Sequence, residues 1–396
     1  MLSTAEALAK VLALTPAMSS EIVPLEEAAG RVLTEDAIAR RDQPPFAASA
    51  MDGYAVRAAE ATKGTMLSVV DEAAAGHRAG SELPEAAAIR IFTGAPVPEG
   101  ADTILIQEET KRVGNQIRVL APPRLGEYVR PAGGDFTSGF RIAAPKRLNP
   151  RDLALLASMN IAEIRVARRP VIALIPTGDE LVLPGEAPGP DQIIASNNFG
   201  LAAMLSRAGA LPRHCPIARD TPESLRASFA AAKGADILVS LGGASVGQHD
   251  LVADVMAGEG LALDFYKIAM RPGKPLMAGK LGGAMMLGLP GNPVSAMVCG
   301  EIFLRPAIDR ALGLPSGPRA RRLAALSHEM GKNGPREHYM RAILTQEGVV
   351  PSVTVHENQD SSRLGILASA NCLVVRAPNA EQLQKGTLVE YIPLDD

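Results

Sequence analysis

The chain has 396 residues, more than the ~250–300 at which one core stops growing, so two or more domains are expected. Hydrophobic residues make up 47%, charged residues 21% and aromatics 3% with no Trp, which describes a globular chain with cores of small aliphatics and many tight loops. Forty Lys and Arg against 43 Asp and Glu give a net charge of −3, which leaves no general electrostatic reason to bind nucleic acid or an anionic membrane.

The start of the chain shows no basic segment ahead of an apolar one, and no apolar run approaches the length of a membrane span, so a cytoplasmic location is expected. Ser3 and Glu6 fit a capping box that opens a helix carrying Leu8, Val11 and Leu12 on one face. A second helical pattern runs from Leu25 to about Ala39, weakened by Gly30. Pro44-Pro45 then forbids helix, and Asp52-Gly53 signals a turn into a strand. From Thr65 to Ala144 short apolar stretches (Ile89 to Gly94, Thr103 to Gln107, Gln116 to Leu120) alternate with Gly and Pro, as in a small β-rich domain inserted into the chain. Within it lie the rigid loop Thr93 to Asp102 and the turn Arg130-Pro-Ala-Gly-Gly-Asp135. A helix over Arg151 to Met159 returns to the N-terminal part.

From about Pro170 strands alternate with polar loops and helices. Val171 to Ile175 leads into Thr177-Gly-Asp-Glu180, and Gln192 to Ala195 leads into Ser196-Asn197 and a helix from Phe199 to Arg207. The unbroken apolar run Ile237 to Leu241 ends in Gly242-Gly-Ala-Ser-Val-Gly-Gln-His-Asp250, Asp264 to Ala269 leads to Met270-Arg-Pro-Gly-Lys-Pro275, and Met285 to Leu287 leads to Gly288-Leu-Pro-Gly-Asn-Pro-Val-Ser295. This alternation predicts a doubly wound α/β domain with ligands beyond the carboxyl ends of the strands, where all five loops converge on one crevice. Glycine turns with free N–H groups and the cations Arg271 and Lys274 suit phosphate or another oxyanion. The carboxylates Asp179, Glu180 and Asp250 suit Mg²⁺. Each residue also has a plainer reading: glycine for helix–strand packing, the cations as a solvated pair, Glu180 as a helix-start carboxylate. The segment from about Arg319 returns to short strands (Tyr339 to Leu344, Cys372 to Arg376, Thr387 to Tyr391), as in a small β-barrel. Cys215, Cys299 and Cys372 are far apart and read as buried, inert thiols. No HExxH, P-loop or strand-end GxGxxG is present.

Six motifs then carry a resemblance over nearly the whole chain: Ser49-Ala-Met-Asp-Gly-Tyr-Ala-Val56, Thr93-Gly-Ala-Pro-Val-Pro98, Pro176-Thr-Gly-Asp-Glu-Leu181, Gly242 to Asp250, Pro272-Gly-Lys-Pro275 and Gly288 to Ser295. In this order they resemble the bacterial molybdopterin molybdenumtransferase family, MoeA, and the related gephyrin E domain. The resemblance implies a multidomain α/β chain: an N-terminal helical linker unit (1–43 plus 141–169), an inserted β-rich domain (44–140), a molybdopterin-binding α/β domain like that of the molybdopterin adenylyltransferase (170–315) and a C-terminal β-barrel (316–396). It implies a homodimer that receives adenylylated molybdopterin from the adenylyltransferase upstream, inserts molybdate with Mg²⁺ and releases AMP.

Carried over residue by residue, the resemblance makes Asp52, Thr93, Asp135, Glu180 and Asp250 catalytic, with Glu180 and Asp250 on the metal. Ser196, Asn197, Gly242, Gly243, Ser245, Gly247, Arg271, Lys274, Pro290, Gly291, Asn292, Pro293 and Ser295 would bind the substrate, with Arg271, Lys274 and Ser295 on molybdate. Asp52, Thr93 and Asp135 would face the α/β crevice of the other subunit. Two departures stand out: Arg271 where Lys is common, a planar fork replacing a point charge, and a Gln359-Asp-Ser-Ser362 stretch without the usual glycines. Two other functions compete, an adenylyltransferase and a non-catalytic scaffold of the gephyrin kind.

Overall fold

The computed structural model describes residues 1–242, 251–346 and 348–394. Helix α1 (Thr4–Leu14) opens on the expected box: Ser3 N–H donates to Glu6 Oε2 at 2.8 Å, and Glu6 N–H donates to Ser3 Oγ at 3.2 Å. Strands β1 (Ser20–Pro24) and β2 (Val32–Leu33) follow. The helix expected over Leu25 to Ala39 is absent: Leu25–Glu27 makes one 3₁₀ turn, and Gly30 takes a φ of +71°. The reason is long-range pairing. Gly30 N–H donates to Leu148 O at 2.9 Å and β2 is claimed by strands far downstream, so tertiary hydrogen bonds override a local pattern already weakened by glycine.

The chain then enters a six-stranded sheet of β3 (Gly53–Val56), β4 (Met66–Ala73), β5 (Ala87–Ile91), β6 (Thr103–Ile106), β7 (Thr110–Val113) and β8 (Gln116–Val119), in the order β6-β3-β5-β4-β8-β7. Alternate residues of its strands feed two small cores, Tyr54, Val56, Leu67 and Leu105 in one, Ala55, Ile89, Ile91 and Ile104 in the other. The chain returns through β9 (Lys146–Arg147), α2 (Pro150–Ser158) and β10 (Glu163–Ala167), and the sheet β1-β10-β2-β9 closes the linker unit over Leu33, Phe136, Leu156 and Val166. Two of the three helices expected in this unit therefore form, α1 and α2, and it has a sheet besides.

The α/β unit comprises β11 (Val171–Pro176), α3 (Asn197–Ala208), β12 (Leu211–His214), α4 (Pro222–Ala231), β13 (Ile237–Leu241), α5 (Leu251–Gly258), β14 (Leu261–Tyr266), β15 (Met270–Arg271), β16 (Met277–Leu281), β17 (Ala284–Leu289), α6 (Pro293–Cys299) and α7 (Arg305–Ala311), with a π-helical turn at Gly300–Leu304 between the last two. Its sheet order is β12-β11-β13-β17-β16-β14. The first four strands are parallel, and β16 is antiparallel to both neighbours. Ile237, Val239 and Leu241 enter the core shared with α1, α3, α6 and α7, while Leu238 enters the opposite core with Leu225, Phe229, Val252 and Met256. Burial on both faces is why this strand reads as an unbroken apolar block. The strand expected over Gln192 to Ala195 shrinks to Ile193–Ile194, paired with Leu181–Val182 outside the main sheet. At the base, Asp236 clamps Arg168 through two bonds of 3.0 and 2.7 Å and accepts Val171 N–H at 2.7 Å, which ties the linker to the sheet.

The C-terminal strands β18 (Arg322–Leu326), β19 (Glu337–Thr345), β20 (Ser352–Val355), β21 (Cys372–Arg376) and β22 (Leu388–Pro393) run in the order β19-β20-β18-β22-β21, and β19 also pairs with β21, so a five-stranded barrel closes. Closure removes free sheet edges. Helix α8 (Leu364–Ser369) lies between β20 and β21 in the chain. Strand β15 leaves the α/β unit and pairs with β19, joining the two units by backbone.

Candidate active site

Three neighbouring parallel strands end together, and their ends are stitched to one another. Thr177 N–H donates to Leu241 O at 3.0 Å, and Gly242 N–H donates to Leu289 O at 3.1 Å. Gly242 has a φ of +102°, and a Cβ there would lie 2.6 Å from Thr177 O, so only glycine fits. A Cβ on Gly291 would stand 3.5 Å from Gly242 Cα, which places the two glycine loops side by side. Asn197, in the first turn of α3, donates from Nδ2 to Gly291 O at 2.7 Å. The hollow between these loops is lined by Thr177, Glu180, Ala195, Ser196, Asn197, Asn198, Gly291 and Pro293. Four of the five predicted loops therefore meet. Gly243, Ser245, Gly247 and Asp250 lie outside the described residues.

The two acidic residues of the first loop have different jobs. Asp179 accepts Asp220 N–H at 3.0 Å and so holds the loop before α4. Glu180 is exposed at the hollow, and its carboxylate folds back over Gly178, where a Cβ would collide with Oε2. Ser196 and Asn197 also open onto an apolar hollow of about 450 Å³ walled by Met204, Met297, Leu364 and Leu367.

The fifth loop goes elsewhere. Arg271 lines a second hollow of about 660 Å³, formed with the barrel residues Lys332, His338, Glu357, Gln359, Asp360 and Arg376. On paired strands Arg271 stands opposite His338, and His338 opposite Arg376, so three basic residues from three segments share one face. Nearby Arg341, buried in β19, donates to Asp360 O at 2.8 Å and from Nε to Gln359 Oε1 at 3.2 Å, fixing the loop that forms the rim. Burial, then the charges of Arg271, Arg336, Arg341 and Arg376, push the His338 imidazole down to about 4, so it is neutral at physiological pH. The two hollows adjoin: Asn292 Nδ2 donates to Ser361 Oγ at 3.1 Å, and Val294 N–H donates to Ser361 O at 3.2 Å. Of the three residues expected on an oxyanion, only Arg271 lines this second hollow. Lys274 is half-buried in the same loop, and Ser295 is buried in the first turn of α6.

The N-terminal candidates form a separate group. Asp52 Oδ1 accepts both Thr93 N–H and Thr93 Oγ–H at 2.8 Å. Those bonds, with Arg90 nearby, hold its carboxyl below the usual carboxylate range. The Thr93 loop is laced to the 47–49 segment through Gly94 N–H to Ser49 O and Val97 N–H to Ala47 O, both 2.8 Å. Asp135 is exposed beyond the Arg130 turn, its N–H bonded to Gln43 O at 2.9 Å. This surface rests on the two cores of the β-rich sheet, which share no residue with the cores behind the crevice.

Sequence reasoning missed Asn198, whose Oδ1 is buried at the crevice without a partner among the described residues, and the barrel set His338 and Arg376. A signal existed for the barrel set: charged residues at buried positions of otherwise apolar strands.

Residues 2–160 match the family model described as MoeA N-terminal region (domain I and II), residues 173–310 match the probable molybdopterin binding domain, and residues 324–394 match the MoeA C-terminal region (domain IV). The fold and these matches define a multidomain protein built around a molybdopterin-binding α/β unit. A molybdopterin molybdenumtransferase of Nostoc sp. is 35% identical over 389 residues, covering 95% of this chain and 89% of that protein, and one of Haemophilus influenzae is 32% identical, covering 100% and 99%. The crystal structure of a molybdopterin biosynthesis MoeA protein from Pyrococcus horikoshii superimposes with a TM-score of 0.85 at 30% identity, covering 99% of both chains. The chain belongs to the MoeA family.

Proposed function

We propose that the protein is a molybdopterin molybdenumtransferase that inserts molybdate into adenylylated molybdopterin and releases AMP, the last step of molybdenum cofactor formation. One observation carries this reading beyond family membership. A glycine-lined crevice at the strand ends abuts a cationic hollow, with Asn292 and Ser361 bonded across the seam. The crevice suits a diphosphate because Gly242 and Gly291 let a ligand approach backbone closely. The hollow suits a doubly charged tetrahedral oxyanion because Arg271 can offer charge-assisted donors there, and Arg376, held by backbone carbonyls through Nη2, and Lys332, paired with Glu381, add positive charge.

The donor set also fits Mg²⁺. Among the described residues no three His, Cys, Asp or Glu side chains cluster, and Mg²⁺ asks for only one or two carboxylates, taking phosphate and water besides. Glu180, with Asp250, would hold it. When bound it would neutralise the diphosphate as the phosphoanhydride is cleaved. The soft molybdenum of the product belongs on the dithiolene sulfurs of the substrate, so no protein thiolate is called for. The cysteines agree: all three are buried and free, and burial raises Cys215 and Cys299 and pushes Cys372 up to about 12.

Asp52, Thr93 and Asp135 stand on a different unit, and we assign them to the crevice of a second subunit in a homodimer. The adenylyltransferase that makes the substrate is the natural donor, and a cytoplasmic site of action fits; among the described residues no helix is long and apolar enough to cross a membrane. The test is direct. Purified protein with adenylylated molybdopterin, molybdate and Mg²⁺ is expected to yield AMP and active cofactor, and Glu180→Gln or Asp250→Asn to lose at least ~100-fold in rate. Absence of AMP from the wild-type reaction would refute the assignment.

A further inference from the structure

We propose that His338 is a catalytic residue of the cationic hollow: its imidazole contacts the bound oxyanion and carries the proton that converts a departing oxo group into water. The inference rests on the function proposed above and extends it to a residue that neither the motifs nor the crevice include.

The placement comes from the barrel. His338 lies on β19 between Arg271 of β15 and Arg376 of β21, and its side chain lines the hollow. It is 5% exposed, and its Nε2 finds no hydrogen-bond partner among the described residues. A buried ring nitrogen without a partner among the described residues, in a hollow that also carries Arg271 and Arg376, is a position for a ligand atom.

The chemistry needs such a group. Molybdate and a dithiol form two Mo–S bonds and break one Mo–O bond; the two thiol protons leave with that oxygen as water. No electrons are exchanged, and the charge stays at minus two. The protons must travel from sulfur to oxygen, and arginine cannot carry them because it does not deprotonate. An imidazole protonated as the oxyanion binds can give that proton to the departing oxygen and, once neutral, accept one from a thiol, while the second thiol proton completes the water.

The surrounding charges set when it does so. Burial and the charges of Arg271, Arg336, Arg341 and Arg376 oppose protonation; Lys332 on the wall is paired with Glu381 at 2.7 Å, and Glu357 and Asp360 stand on the rim as counter-charges. A dianion seated among them offsets two of those positive charges and raises the imidazole's proton affinity, so oxyanion binding is coupled to proton uptake at His338.

The experiment titrates molybdate alone into the full-length protein by calorimetry at about pH 6, near the ordinary histidine range, in two buffers of different ionisation heat. Wild type is expected to take up a fraction of a proton per molybdate, and His338→Asn to bind without uptake. In turnover the same variant should lose roughly 10²-fold or more in kcat, with the KM for molybdate changed only a few-fold. Nitrogen NMR of the histidine side chains in the unmutated protein supplies a readout that no folding defect can mimic, with the His338 ring moving toward the imidazolium signature as molybdate is added. Equal proton uptake and kcat in the variant, or an unmoved ring signal with molybdate bound, would overturn the inference and leave the proposed function standing. Failure of wild type to bind molybdate would overturn both.

Discussion

Asp52 shows how a single carboxylate can be prepared for work. It takes two bonds from one residue, the N–H and the Oγ–H of Thr93 at 2.8 Å, and both favour its charged form. The sign of the pH effect follows from the depressed folded-state pKa. The pairing adds stability above the unfolded carboxylate value of about 3.9, and that stability is lost as pH falls through the lower folded value. Asp52→Asn keeps an acceptor oxygen and removes the charge. The wild type's advantage in thermal midpoint over this variant is therefore expected at about pH 6 and should shrink below about pH 4. A difference independent of pH would show that the bonds, not the charge, matter.

At the scale of elements, the candidate crevice is a consequence of strand ends in register. β11, β13 and β17 are parallel neighbours, so Thr177, Gly242 and Pro290 emerge at one edge, and the bonds between strand ends leave no room for a side chain at Gly242. Gly242→Ala should cost about 1–3 kcal/mol, because it forces both a left-handed φ and a contact with Thr177 O. The expected result is a lower urea midpoint together with weaker AMP binding measured by calorimetry. A variant matching wild type in both would remove Gly242 from the site. The π-helical turn at Gly300–Leu304 belongs to the same scale. It interrupts the long helix after Pro293 and carries buried Glu301, bonded to Arg305 at 3.1 Å, beside the apolar hollow that Ser196 and Asn197 share with the crevice.

For the whole molecule, the linker unit is the decisive part. It is built from both ends of an interrupted sequence and separates the cores of the β-rich sheet from those of the α/β unit, with Arg168 and Asp236 fixing its attachment to the latter. If the Asp52 surface of one subunit completes the crevice of another, two inactive variants should rescue each other. Asp52→Ala and Glu180→Ala homodimers mixed under exchange conditions would give half mixed dimers with one intact site each, hence roughly a quarter of wild-type turnover. No recovery after verified exchange would place the whole site within one chain.

Local chemistry made much of this readable from the amino acids alone. The capping box at Ser3 and Glu6, the unbroken apolar strand Ile237–Leu241 and the turn at Gly242 are each dictated by neighbours within a few residues. Six motifs in order then disclosed the family. Only the tertiary structure could show that residues after Gly30 pair with strands more than a hundred positions later, that Arg271 leaves the crevice for the barrel, and that His338 and Arg376 meet it there. The physical reason is the range of the forces involved. Caps, turns and alternation act along the chain and leave their mark in a short window, whereas strand pairing and the overlap of charges across a cavity join segments whose spacing carries no pattern of its own.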